Sequence, residues 1–158
     1  MNTAYVALGA NLGDPAATVK AAFAALANLP ESRVAQCSSL YRTAPLGLTE
    51  QPEFVNAVAA LETTLTPEAV LDALLDIEHR FGRIRTERNG PRTLDLDLLL
   101  YNDLFVDVPR LTLPHPRLHL RAFVLYPLAE IAPDLKIPGR GTVAAWLPAV
   151  ANQGIVKL

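Results

Sequence analysis

The alternation of periodicities along this chain predicts an α+β fold: a ferredoxin-like β-α-β-β-α-β core, its antiparallel sheet covered on one face by two helices, plus a C-terminal extension. Three observations carry that expectation. Two runs, 15–29 and 67–81, show helical spacing; β-rich runs flank them; and the apolar run 94–101 carries two acids that alternate with leucines over 94–98. With 158 residues and no repeat, low-complexity segment or linker, the sequence fits a single domain over 1–158.

Ala4–Gly9 is a short β-rich run closed by GANLGD. Asp14 before Pro15 is an N-cap followed by proline at the first helical position, and Val19, Ala22, Phe23, Leu26 and Leu29 recur at helical spacing until Pro30. Arg33–Arg42 then reads as one strand, and 43–52, with two prolines and a glycine, as a loop. FVNAVAALE, 54–62, is a strand. Thr66-Pro67-Glu68 opens a second helix with the stripe Val70, Leu74, Ile77 and Phe81, and Gly82 ends it. An arginine-rich loop leads to the strand 94–101. Beyond it, LFVDV and RLTLP read as short extended pieces, RAFVLYPLAEIA as helical in part, and TVAAWLPAV as a last short helix.

Cys37 is the single cysteine, which excludes an internal disulfide and a cysteine-rich zinc site. The N-terminus lacks a basic segment followed by an apolar one, and no run approaches about 18 uninterrupted apolar residues. These features predict a cytoplasmic protein without membrane contact. The formal net charge of −2 argues against a nucleic-acid coat, and no RNP-type aromatic motif is present. Charge is nevertheless uneven: between 80 and 92 stand Arg80, Arg83, Arg85, Arg88 and Arg92 against Glu87 alone. That is a local anion site or a solvated loop.

Within GPRTLDLDLLLY, residues 90–101, an ionised carboxylate costs several kcal/mol if buried without compensation. Strand alternation puts Leu94, Leu96, Leu98 and Leu100 on one face, under the helices, and Asp95, Asp97, Leu99 and Tyr101 on the other. Asp95 and Asp97 would then project together, about 6.6 Å apart at Cα, as two hard oxygen donors of the kind Mg²⁺ takes alongside phosphate and water. A bare D-x-D more often faces water. Here guanidinium forks that match phosphate oxygens stand close in sequence, so a polyphosphate held by acids and arginines competes with plain salt bridging.

Other chemistries find less support. No P-loop motif occurs, GRGTVA at 139–144 has too little chain after it for a dinucleotide-binding unit, and Ser38 and Ser39 lie in a strand pattern without a nucleophile turn. His79, His115 and His119 form no zinc signature. His115, between two prolines and near Arg110, Arg117 and Arg121, is either a phosphate donor or structural. Phe54 and Asn56 share a strand face, an aromatic plane beside a carboxamide that suits a planar heterocycle; Phe123 offers a second plane. Taken singly, core packing is the better reading of Phe54 and Phe123, and an edge amide that of Asn56.

Together these pieces resemble the 6-hydroxymethyl-7,8-dihydropterin pyrophosphokinase family. The signature reads Arg88-Asn89-Gly90-Pro91-Arg92-Thr93-Leu94-Asp95-Leu96-Asp97-Leu98-Leu99. GANLGD, SSLYRTAPLG (38–47), QPEFVNAV (51–58), IEHRFGRIR (77–85) and LTLPHPRLHLRAFVLYPLAEIAP (111–133) stand in order around it, so the resemblance covers nearly the whole chain. It implies transfer of pyrophosphate from ATP, the co-substrate, to a pterin alcohol in folate biosynthesis, by a monomer whose partners are small molecules.

By position, the resemblance makes Asp95 and Asp97 ligands of two Mg²⁺ ions. It gives Arg83, Arg92 and Arg121 the task of neutralising the triphosphate, with Arg85, Arg110 and His115 also in the nucleotide site. Leu98 and Thr112 would line the adenine and ribose pocket with Glu78 nearby. Thr43, Pro45, Leu46, Phe54, Asn56 and Phe123 would form the pterin pocket, the ring stacked between the two phenylalanines. Phe54 stands where some members carry tyrosine, Asn89 where some carry tryptophan, and Leu75 where some carry glutamine.

Overall fold

The structure, a computed structural model, describes residues 1–43, 53–82 and 94–158. In chain order it contains β1 (Asn2–Ala10), α1 (Pro15–Ala27), β2 (Ser32–Cys37), β3 (Tyr41–Thr43), β4 (Phe54–Thr63), α2 (Pro67–Arg80) and β5 (Asp95–Tyr101). A hairpin of β6 (Val106–Val108) and β7 (Leu111–Leu113) follows, then a 3-10 turn at Leu118–Leu120, α3 (Ala122–Ile131), the pair β8 (Lys136–Ile137) and β9 (Gly141–Thr142), a 3-10 segment Ala144–Val150, and β10 (Ile155–Lys157). The main sheet runs β10-β3-β4-β1-β5, with β2 also paired to β4, and its pairings are antiparallel.

The helix starts are those the sequence predicts. Asp14 Oδ1 accepts the Ala17 N–H at 3.2 Å and Thr66 Oγ1 accepts the Ala69 N–H at 3.1 Å, each with proline next in the chain. Gly82 follows α2 with φ +81°, the left-handed conformation that glycine adopts without steric cost. The run Arg33–Arg42 is two strands rather than one. Ser38 donates its N–H to the Val58 carbonyl at 2.8 Å but answers the Val58 N–H with its side-chain oxygen at 2.9 Å, so the backbone ladder breaks there before β3 resumes.

Both faces of the sheet are covered, whereas the sequence pattern predicts helices on one. Against α1 and α2 pack Ala4, Val6, Leu8, Val55, Ala57, Ala59 and Leu61 with Leu94, Leu96 and Leu98. On the opposite face α3 and the segment before β10 pack on Ala7, Val58, Leu99 and Leu100. The cause lies in AFVLYPLAEI, whose Ala122, Val124, Leu125, Pro127 and Leu128 are all buried: so apolar a helix must be covered by another layer.

β5 also departs from strict alternation. Val6 pairs with Leu98 and Tyr5 with Leu100, leaving Leu99 as the extra residue of a bulge. Beyond it the phase inverts, so Leu100 joins the α3-side core and Tyr101 turns to the α1–α2 side. There Tyr101 Oη donates to the Leu65 carbonyl. Tyr101→Phe should therefore lower stability by about 1–2 kcal/mol in urea unfolding, because the Leu65 carbonyl loses its partner in a partly buried setting.

Candidate functional site

The α3-side face of the sheet carries the candidate chemistry. Asp95 and Asp97, half-buried, lie on β5 opposite Gly9 and Ala7 of β1, while Leu94, Leu96 and Leu98 between and beside them enter the other core. Gly9 in turn faces Asn56 of β4, and Asn56 faces Tyr41 of β3. Tyr41, Asn56, Gly9 and Asp95 thus form one transverse row across four strands. Neighbouring strands are about 4.8 Å apart, so Asn56 and Asp95 stand roughly 10 Å apart at Cα with only a glycine between them.

Positive charge faces the acids. Arg121, at the N-terminus of α3, is pulled below the ordinary guanidinium range by burial, while Asp97 and, more weakly, Asp95 push back against this and against Arg117. It remains a cation. Burial also lowers His115, reinforced by Arg121 and Arg117 and opposed by Asp95, so the imidazole is neutral near pH 7. His115 Nδ1 accepts the Arg117 N–H at 3.2 Å, which leaves Nε2 as the donor, and the His115 N–H donates to the Leu99 carbonyl at 2.9 Å. The segment is thereby fastened along β5 beside the acids.

The other end of the row is amide and aromatic. Buried Asn56 donates from Nδ2 to Thr43 Oγ1 at 2.9 Å. Phe54, paired with Thr43, shares Asn56's face by alternation. Phe123 packs beside the α3-side core, and the Arg121 guanidinium lies 5.4 Å from its ring centroid. Thr43, Phe54, Asn56, Phe123, Arg121, His115, Asp95 and Asp97 therefore belong to one face.

Glu78, Leu98, Arg110 and Thr112 lie elsewhere. Buried Glu78 accepts the Leu96 N–H at 2.7 Å through Oε2, joining α2 to β5, and Leu98 is in the α1–α2 core. Arg110 pairs with Asp72 of α2, and Thr112 is exposed on β7. These four flank the edge strand β5 from its helix side and from β7. Pro45, Leu46, Arg83, Arg85 and Arg92 lie outside the described residues, as does Asn89.

Three supporting residues escaped the sequence reading. Gln153 Oε1 accepts the Ala122 N–H at 2.9 Å and its Nε2 donates to the Leu120 carbonyl at 3.0 Å, bracketing the backbone of Arg121. Glu130 accepts from Ser39 N–H (2.9 Å), Ser39 Oγ (2.7 Å) and Tyr41 Oη (2.8 Å), with Lys157 Nζ at 3.7 Å, tying α3 to β3 and β10. Gly9 had one signal, a glycine within a β-rich run.

The donor set fits a hard divalent cation brought in with a polyphosphate. Two carboxylates two residues apart on one strand face offer oxygen ligands, and among the described residues no group of three or more His, Cys, Asp or Glu could enclose a metal alone. The remaining ligands would come from phosphate and water.

A family model described as 7,8-dihydro-6-hydroxymethylpterin-pyrophosphokinase matches residues 5–133. A 2-amino-4-hydroxy-6-hydroxymethyldihydropteridine pyrophosphokinase of Pseudomonas aeruginosa is 51% identical over 154 residues, 98% of this chain and 95% of the relative. The enzyme of that name from Haemophilus influenzae is 44% identical over 158 residues, 100% of this chain and 99% of the relative. Among solved structures, Plasmodium falciparum HPPK-DHPS with pteroate matches with a TM-score of 0.75 at 14% identity, covering 94% of this chain and 42% of that one. The present chain thus spans less than half of that structure, whose likeness carries the fold alone.

Glu130 supplies a pH test of the site's frame. Burial alone would raise its pKa, but hydrogen bonds from Ser39 and Tyr41 and the charge of Lys157 bring it below the ordinary glutamate value. Its contribution is present above the unfolded value and fades as pH falls through the folded one. The stability gap between parent and Glu130→Gln, measured by urea unfolding, should be widest near pH 7 and close as pH drops below about 4.3.

Proposed function

The chain belongs to the 7,8-dihydro-6-hydroxymethylpterin-pyrophosphokinase family, and on that premise we propose how its residues divide the work. It is an ATP-dependent diphosphotransferase that transfers pyrophosphate to the hydroxymethyl group of 6-hydroxymethyl-7,8-dihydropterin in folate biosynthesis. In our reading the pterin lies between Phe54 and Phe123 with its polar edge toward Asn56 and Thr43, and the triphosphate lies over Asp95 and Asp97. The hydroxymethyl oxygen attacks the β-phosphorus in line, an O–P bond forms as the bond to the α-phosphate bridging oxygen breaks, and AMP leaves. The alcohol proton passes to solvent, and no protein base is invoked.

The observation that carries this reading is the shared sheet face: the Asn56 amide and the Phe54 ring on β4, the paired carboxylates on β5, and Arg121 with Phe123 beside it at the start of α3 on the same side. Catalysis by such a face is positioning and charge neutralisation. Asp95 and Asp97 would hold Mg²⁺, for which we propose two ions; bound there, the metal would supply neutralisation of phosphate oxygens and polarisation of the transferred group. Arg121 meets charge on the triphosphate and on departing AMP, and neutral His115 donates from Nε2 to a phosphate oxygen. We extend the nucleotide site to Arg83, Arg85, Arg92, Arg110, Thr112, Leu98 and Glu78, and the pterin pocket to Pro45 and Leu46.

The same reading takes the core as ferredoxin-like, supported by the order β5-β1-β4-β3 with α1 and α2 on one face. It takes 1–158 as one domain, supported by relatives that align along nearly all of it. It further takes the protein as a cytoplasmic monomer acting on small molecules without nucleic acid. No helix among the described residues is long and apolar enough to cross a membrane.

A coupled assay tests the activity: AMP should appear from ATP and Mg²⁺ only when the pterin alcohol is added. Turnover without acceptor would instead indicate a phosphohydrolase, and salt-dependent RNA binding a nucleic-acid module. Asp97→Ala should cut pyrophosphoryl transfer by about a hundredfold or more, as several kcal/mol of charge stabilisation are lost. A wild-type rate in Mg²⁺ would overturn the mechanism.

A further inference from the structure

We infer that Gly9 is a positioning residue for the transfer: lying between Asn56 and Asp95 and lacking a Cβ, it leaves the space in which the Asn56 carboxamide is held at the pterin end of the site. This rests on the function proposed above. Gly9 is inside β1, paired to Asn56 of β4 on one side and to Asp95 of β5 on the other. Glycine in a strand interior weakens the strand relative to alanine, so the position needs a reason. Backbone freedom is not the reason, because Gly9 is absent from the glycines with positive φ.

Room is the reason. A Cβ on Gly9 would lie 2.8 Å from Asn56 Oδ1, closer than real Cβ contacts come, and 3.9 Å from its Cγ. Asn56 is buried and its Nδ2 is tied to Thr43 Oγ1 at 2.9 Å, so the carboxamide cannot swing aside without giving up that bond. Thr43 thus fixes which way the amide turns, and Gly9 admits its acceptor oxygen. A pterin presents ring N–H and amino donors on its polar edge, so an Oδ1 held in one direction selects the ring's orientation and hence where the hydroxymethyl group points. The same glycine keeps the floor low between Asn56 and Asp95, the span that group must cross to reach the phosphates.

The test is a double-mutant cycle with Gly9→Ala, Asn56→Ala and both together. Titration calorimetry would read the affinity for the pterin alcohol in the presence of Mg²⁺ and a non-hydrolysable ATP analogue, and separately the affinity for that analogue. Gly9→Ala should weaken pterin binding tenfold or more and leave nucleotide affinity within twofold. In the Asn56→Ala background it should add less than twofold, since the obstructed group is gone. A pterin affinity within twofold of the parent overturns the inference, as does a penalty that persists in full without the Asn56 side chain, or a parallel loss of nucleotide binding. Should Gly9→Ala alone fail to fold, folding restored by Asn56→Ala supports the inference and continued failure overturns it. A parent that releases no AMP when given the pterin defeats the proposed function itself; an active parent with an unaffected Gly9→Ala defeats only this inference.

Discussion

Two carboxylates cannot be pressed into hydrocarbon, and much of this molecule is arranged around that constraint. Because Asp95 and Asp97 alternate with Leu94, Leu96 and Leu98, the helices must take the leucine face and leave the acids to the other. The register with β1 then sets two very small residues, Gly9 and Ala7, opposite the acids. Had larger side chains stood there, the floor beside the carboxylates would be filled. The bulge at Leu99 ends the arrangement within the same strand: beyond it, Leu99 and Leu100 return that face to apolar packing under α3.

The second layer both closes the core and aims the site. α3 buries its apolar residues on the sheet, and its start sets Arg121 against the acids with the Phe123 ring beside the guanidinium. Side-chain bonds from Gln153 to the backbone on either side of Arg121, and the Glu130 cluster at the far end of α3, hold the helix at its start to the turn before β10 and at its end to β3 and the residues before it. In the proposed mechanism a cation placed by such bonds would lose little freedom on meeting a phosphate, and such preorganisation is what makes electrostatic catalysis effective.

How much of this the sequence discloses depends on the range of the interaction. Local signals were legible: the caps at Asp14 and Thr66, the stop at Gly82, and the period of two that puts Asp95 and Asp97 on one face. So was the joint presence of Phe54, Asn56 and the acids, through the family resemblance. Non-local events were not. The break at Ser38 depends on a bond to Val58, the phase change at Leu99 on pairing with β1, and the second helical layer on an apolar surface assembled from three strands. Gln153 and Glu130 act across 31 and 91 residues of chain respectively, distances over which periodicity carries no information.

The pairing of β10 with β3 bears on how the protein is made. β3 is three residues long, and its outer edge is completed by Ile155–Lys157, with the Leu158 N–H reaching the Leu40 carbonyl at 2.8 Å. In a nascent chain that emerges N-terminus first, β1, β4 and β5 can associate before Ile155–Lys157 are made. The strand that carries Thr43 keeps an open outer edge until those residues dock on it, so the Thr43 side of the face matures later than the β1–β5 side.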